Sequence, residues 1–314
     1  MRDPVILTLT MNPALDVTVE AGHVRPTDKI RCRAERYDAG GGGVNVARFA
    51  HALGADVLAV LTAGGSTGTH VVELVDAAHV PNLPIAVNGI TRQSLTVNEC
   101  ATGQQYRFVL PGPVLTVEEQ RRCLTLLADA AVSADFVVAS GSLPPGVPPD
   151  FYQRVADICR LRNVRLVVDT SGGGLTHITS GVFLLKPSLR ELRECVGRPL
   201  ACEADQVAAA QELIDAGRAE VVVVSLGEEG ALLVTAHDSS RIAAIPVSAV
   251  SGVGAGDALV AGLVVGLARE WPLPAAVRYG IAAATAKLQT PGTSAFSRTE
   301  VDCLFDGFDA TAGR

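Results

Sequence analysis

The chain has 314 residues, 48% of them hydrophobic and 19% charged, with a formal net charge of −7 at pH 7. That balance excludes a disordered chain and describes a well-buried core, and with no basic block present nucleic acid is not an expected partner. Seven cysteines lie scattered, with no CxxC and no His at zinc-site spacing, so they read as reduced thiols in a cytoplasmic protein without a structural metal.

In chain order, the N-terminal apolar run is too short for a signal peptide. Residues 5–10 read as a buried first strand, ended by Asn12-Pro13. From Asp16 to Asp38 the pattern changes, because Val17-Thr18-Val19-Glu20 and the stretch 29–34 alternate apolar and polar, as strands with one wet face do. A second such region runs from Ile85 to Leu110, with a turn at Thr102-Gly103. These two regions predict a small antiparallel sheet outside the main core. The remainder alternates apolar strands (57–61, 136–139, 166–168, 182–185, 221–224) with helical patterns (44–53, 68–78, 117–131, 151–161, 206–216), and the C-terminal part (256–268, 274–289, 299–308) is helical. The expectation is an α/β fold, a mostly parallel sheet covered on both faces, with ligands beyond the carboxyl ends of its strands. The longest apolar stretch, residues 258–268, is too short to span a membrane, so no membrane partner is expected.

Two glycine-rich stretches carry the chemistry. Ser251-Gly252-Val253-Gly254-Ala255-Gly256-Asp257 precedes a strongly apolar helix. Its glycines and the unpaired first N–H groups of that helix form a site where backbone donors alone can hold a phosphate. Asp257 beside such a site either accepts a proton from an attacking hydroxyl or is a first-turn acid favoured by the helix dipole. The second stretch, Asp38-Ala39-Gly40-Gly41-Gly42-Gly43-Val44-Asn45, also opens a helix. Four consecutive glycines are costly to order, which points to backbone lying flush against a ligand, with Asn45 facing its hydroxyls; the alternative is a flexible loop with a helix-start Asn. Neither stretch is a Walker or dinucleotide fingerprint.

The ordered pair Gly40–Ala47 and Gly254-Ala255-Gly256-Asp257 resembles the signatures of the ribokinase-like sugar kinases, the pfkB family. Asn12-Pro13-Ala14-Leu15-Asp16 and Thr91-Arg92 are similar to its phosphosugar branch. The segments 105–113 (Gln-Tyr-Arg-Phe-Val-Leu-Pro-Gly-Pro) and 140–146 (Ser-Gly-Ser-Leu-Pro-Pro-Gly) resemble the minor-isozyme type of 6-phosphofructokinase in particular. The resemblance implies a single ribokinase-like kinase domain over 1–314: a three-layer core, lid segments at about 14–38 and 84–111, and dimerisation through the lids. It also implies transfer of the ATP γ-phosphoryl to O1 of fructose 6-phosphate. Asp257 is then the base, with Gly254, Ala255 and Gly256 as the anion hole. Asp16, Gly41, Gly42, Asn45 and Ser140 would hold the sugar and Arg92 its phosphate, with Arg31 reaching in from the neighbouring subunit. Without the resemblance, Asp16 reads as a strand-edge turn residue and Arg92 as a solvated charge. On the nucleotide side it implies Lys186, Ser188, Ser225, Gly227, Gly230, Ser251 and Val253 at ATP, and Glu191 acting indirectly on Mg²⁺. The loop 225–231 reads equally as a hairpin turn, and Ser188-Leu189-Arg190-Glu191 equally as a capping box. Ser188 and Ser251-Gly252-Val253 depart from the family's usual Asn and Asp-Thr-Thr. The close alternatives are 1-phosphofructokinase, tagatose-6-phosphate kinase, and a catalytically silent sugar-phosphate sensor.

Overall fold

The computed structural model describes residues 5–311. Its strands are β1 (Val5–Thr10), β2 (Ala14–Ala21), β3 (Cys32–Gly40), β4 (Asp56–Ala63), β5 (Asn82–Ala86), β6 (Arg92–Glu99), β7 (Gln105–Val109), β8 (Phe136–Ser140), β9 (Arg165–Asp169), β10 (Val182–Leu185), β11 (Ala219–Ser225), β12 (Ala231–Thr235) and β13 (Ser239–Ile242). Its helices are α1 (Gly42–Ala52), α2 (Gly65–Ala77), α3 (Val117–Ala130), α4 (Phe151–Arg162), α5 (Gly173–Thr176), α6 (Leu189–Val196), α7 (Glu203–Asp215), α8 (Ala255–Ala268), α9 (Leu273–Leu288) and α10 (Arg298–Thr311).

A sheet in the order β13-β12-β11-β10-β9-β8-β1-β4-β5 forms the middle layer, parallel from β11 to β5, with β12 and β13 antiparallel. Successive strand residues point to opposite faces. Ile6, Val57, Phe136, Val167 and Val221 therefore pack one way with α1, α2, α8 and α9. Leu7, Val60, Val137, Leu166 and Val222 pack the other way with α3, α4 and α7. This is the three-layer α/β core that the sequence leads one to expect. No helix among the described residues is long and apolar enough to cross a membrane.

The small sheet has the order β3-β2-β6-β7. Its two outer pairs are antiparallel, as expected, but the central pair β2–β6 is parallel. Both of those strands leave the main core from the same side, so neither can pair head to tail with the other. The second lid segment begins at β6, later than the expected residue 84, because β5 pairs with β4 as the edge of the main sheet. Alternation along β2 buries Val17 and Val19 toward α2 and turns Asp16 and Thr18 to the other face.

Candidate active site

Strands leave β1 in two directions: β4 and β5 to one side, β8 to β11 to the other. The carboxyl ends of β1 and β8 thus border the crevice where ligands bind in such sheets. Thr10 ends β1, Asn12 follows it and Ser140 ends β8, while the β3–α1 turn lies across them. The glycines of that turn have mostly internal reasons. A Cβ at Gly42 would collide with Ser140, at Gly43 with Thr10, and at Gly40 with the Asp16 carboxylate; Gly41 holds φ +106°. Close approach of chain to chain, more than of chain to ligand, requires the run.

What the turn leaves open is polar. Thr10 Oγ1, Asn12 Oδ1, Asn45 Oδ1 and Ser140 Oγ are buried without hydrogen-bond partners. Buried polar atoms are nearly always paired, so four orphans around one crevice describe the lining for a hydroxylated ligand.

Asp257 enters this crevice from the first turn of α8, whose N-cap Gly254 sits at φ 80°. Asn45 Nδ2 donates to Asp257 Oδ2 at 2.9 Å, which joins the two glycine-rich stretches. Burial pushes the Asp257 carboxyl up to about 7, with Asp169 and Asp16 adding to the rise and Asn45 and Lys186 opposing it. Burial likewise pushes Asp16 up to about 6, against the pull of Arg107, Arg92 and Arg48. Behind them Lys186 pairs with Asp169 at 3.1 Å, both largely buried. Burial works to lower the Lys186 ammonium, but Asp169, Glu191 and Asp257 outweigh it and hold it above its ordinary value.

Where the resemblance places the nucleotide, a cavity of about 700 Å³ is lined by Ser225, Gly227, Gly230, Gly252, Ala255 and Gly256, with apolar walls from Ile245, Leu259 and Ile281 and a hydroxyl from Thr285. Gly252 and Gly256 face open space: a Cβ on either would meet nothing within 4 Å. Their lack of a side chain keeps backbone N–H groups accessible at the α8 N-terminus, as an anion site asks. Gly230 is different, since it packs against the backbone of Ile242 and Ala244, as the hairpin reading requires.

Lys186, Ser188, Ser251 and Val253 do not line this cavity. Lys186 is held by Asp169. Ser188 and Glu191 form a reciprocal capping box on α6, with Ser188 N donating to Glu191 Oε2 at 2.8 Å and Glu191 N to Ser188 Oγ at 3.3 Å. Ser251 Oγ accepts from Val253 N. No group of three or more His, Cys, Asp or Glu able to hold a metal occurs among the described residues. Mg²⁺ nonetheless suits the residues present: it binds through one or two carboxylates, waters and substrate phosphates, and Glu191 Oε1 lies outside the capping box, with only the exposed Arg190 Nη2 near it at 3.9 Å.

Arg92 donates to Leu110 O (2.9 Å) and Asn12 O (3.0 Å), and its buried Nε has no partner. It lines a second cavity of about 580 Å³ with Asn12, Ser142 and Ser171. Arg31 is not brought to this crevice. It sits on the exposed lid-tip loop beside His23, Arg25 and Lys29.

Sequence reading did not single out Asp169, the walls at 244–249 and 281–288, or Lys287. Asp169 had a legible signal, an acid at the carboxyl end of an apolar strand. The walls had none, since apolar residues there read only as core.

A model described as pfkB family carbohydrate kinase matches residues 5–300. The ATP-dependent 6-phosphofructokinase isozyme 2 of Mycobacterium tuberculosis is 62% identical over 303 residues, covering 96% of this chain and 89% of that protein. The protein of the same name from Escherichia coli is 37% identical over 302 residues, covering 96% and 97%. The crystal structure of phosphofructokinase-2 from Escherichia coli in complex with fructose-6-phosphate superposes with a TM-score of 0.90 at 36% identity, over 97% of this chain and 99% of that one.

Proposed function

Because the chain belongs to the pfkB family of carbohydrate kinases, we propose that this ATP-dependent kinase transfers the γ-phosphoryl of ATP to O1 of fructose 6-phosphate, giving fructose 1,6-bisphosphate. The observation that carries the reading is the Asn45–Asp257 contact. It places a carboxylate poised near pH 7 between a ring of unpartnered buried polar atoms and the open glycine wall of an apolar cavity.

The sugar hydroxyls take up the orphaned groups of Asn45 and Ser140, with Asp16 above them on the lid. Arg92 meets the 6-phosphate; a guanidinium with a free Nε suits that geometry. Asp257 accepts the proton of the attacking hydroxyl, and a base with a pKa near the working pH is both available and effective. The N–H groups around Gly254–Gly256 meet the charge on the transferring phosphoryl, and alignment with charge stabilisation supplies most of what such a transfer asks. Glu191 would help to hold Mg²⁺, which would supply neutralisation of the phosphate charge. The seven free thiols accord with a cytoplasmic setting.

The deciding experiment is ATP consumption with Mg²⁺ against fructose 6-phosphate, fructose 1-phosphate, tagatose 6-phosphate, ribose and adenosine. The expected result is a kcat/KM for fructose 6-phosphate well above the others. Preference for fructose 1-phosphate or tagatose 6-phosphate would keep the mechanism and reassign the substrate, and tight sugar-phosphate binding without turnover would make the chain a sensor.

The pH profile follows from the carboxylates. kcat/KM is expected to fall below an apparent pKa near 7, because the base must be ionised; Asp16 and Asp257 interact, so the limb belongs to the pair. The Asn45 hydrogen bond lowers the Asp257 value, so Asn45→Ala is expected to move the acid limb to higher pH. An unmoved limb would detach it from Asp257.

The lid keeps exposed apolar side chains at Ile30, Tyr37, Leu95 and Phe108, with Leu95 and Phe108 directly opposite each other on β6 and β7. A dimer through this lid covers them and brings Arg31 toward the partner's sugar phosphate. Light scattering is expected to give about 65 kDa, twice 32.5 kDa. A monomer at assay concentration would remove Arg31 from the site.

A further inference from the structure

Lys287, near the end of α9, is buried in the core with 0% of its surface exposed. Its Nζ donates to Thr290 Oγ1 at 2.7 Å and approaches Thr290 O at 3.4 Å, both neutral oxygens. A buried ammonium with such partners carries a large desolvation cost and is retained where its charge has a use. Its position indicates the use. A Cβ on Gly254 would lie 3.5 Å from Lys287 Cε, so the alkyl stem runs directly under the N-cap of α8. Leu288 O, the next residue's carbonyl, accepts from Val250 N (2.7 Å) and Ser251 N (3.2 Å), which ties the glycine-rich loop to the end of α9. Arg36 fastens the other side of the same turn, donating to Ser294 Oγ and Pro291 O while paired with Asp38.

We propose that Lys287 is a positioning residue for phosphoryl transfer, a built-in monovalent cation that holds the Gly252–Gly256 loop from beneath and adds positive potential where the transferred phosphoryl collects charge. The proposal rests on the kinase reading above and extends it to a residue that lines neither of the two cavities. The charged groups that face Lys287 are Arg36 and Asp38 from β3, Arg48 from α1 and Asp257 from α8. Burial lowers its ammonium to about 8, Arg36 and Arg48 act in the same direction, and Asp38 and Asp257 oppose them. The charge is therefore present at neutral pH and lost as pH rises through about 8.

The test compares Lys287→Met, which keeps the stem, with Lys287→Ala, which leaves a hole. Lys287→Met is expected to lower kcat by about 10- to 100-fold, to leave the sugar KM within about threefold, and to melt no lower than the wild type, because an apolar isostere removes a buried charge. The decline of kcat above pH 8 should vanish in this variant. Lys287→Ala should regain several-fold in kcat on addition of ethylammonium chloride, and not with an uncharged alcohol of the same size. A Lys287→Met enzyme with kcat within twofold of wild type, or a folded Lys287→Ala enzyme that ethylammonium does not rescue, would overturn the proposal. ATP affinity by calorimetry gives a readout independent of turnover: it should weaken in Lys287→Met whichever sugar is the substrate. Failure of the kinase reading would instead show as a wild-type enzyme inert toward every sugar tested.

Discussion

Asp257→Asn is expected to lower kcat by about 10²–10⁴-fold, the range for loss of a positioned base, while fructose 6-phosphate binding stays nearly intact and thermal stability rises. Asn has the shape of Asp and still accepts from Asn45 Nδ2 through its amide oxygen, so the crevice keeps its geometry. The gain in stability follows from linkage. In the unfolded chain Asp257 titrates near 3.8, but burial, reinforced by Asp169 and Asp16, raises it to about 7 in the fold. Between those values the folded state binds a proton that the unfolded state has released. The contribution of this group is full below about pH 4 and is lost as pH rises through 7. A shift of that size corresponds to at most about 4 kcal/mol, and coupling to neighbouring carboxylates reduces it. Calorimetric melts at pH 5 and pH 8 should show the advantage of Asp257→Asn growing with pH. A variant that retains most of its turnover would remove Asp257 from the base role, and an unchanged melt at pH 8 would refute the burial argument.

The second large effect concerns the pair behind the base. Lys186→Met leaves Asp169 buried without its cation, and breaking a buried pair from one side costs about 3–5 kcal/mol. Turnover should fall as well, because Lys186 also holds down the pKa of Asp257. Burial already raises Asp169, and loss of Lys186 raises it further. The variant's deficit is therefore smallest in acid, where the carboxyl is protonated in both states, and grows as pH rises. Lys186→Met with Asp169→Asn should recover much of the stability but not the activity, since it removes the stranded charge without restoring the cation. Urea unfolding of both variants at pH 6 and pH 8 checks this. A single variant as stable as wild type at pH 8 would mean that water reaches Asp169.

Part of the site was legible because its signals are local. Glycine followed by a helix start, as at 40–45 and 252–257, reports dihedral freedom and unpaired N–H groups within a few residues. The Ser188–Glu191 capping box likewise lies within one turn. It formed as such, which shows why a four-residue pattern is explained by its own helix end before any ligand is invoked. The four glycines at 40–43 stand out in the sequence, but their main cause, contact with Asp16, Ser140 and Thr10, joins segments up to about a hundred residues apart.

By itself the sequence determined the alternation of strands and helices, the two-faced lid strands, the glycine-rich helix starts and the presence of Asp257 at one of them. These follow from periods of 2 and 3.6 residues and from short-range backbone preferences. Only the tertiary structure decided that β2 and β6 run parallel, that β5 belongs to the main sheet, that Asn45 meets Asp257, that Lys186 is matched to Asp169, and that Lys287 lies beneath Gly254. Each of these depends on burial and on charges brought together from distant segments, and the energy of a charge is set by the groups and the water around it in space, which the order of residues along the chain does not display.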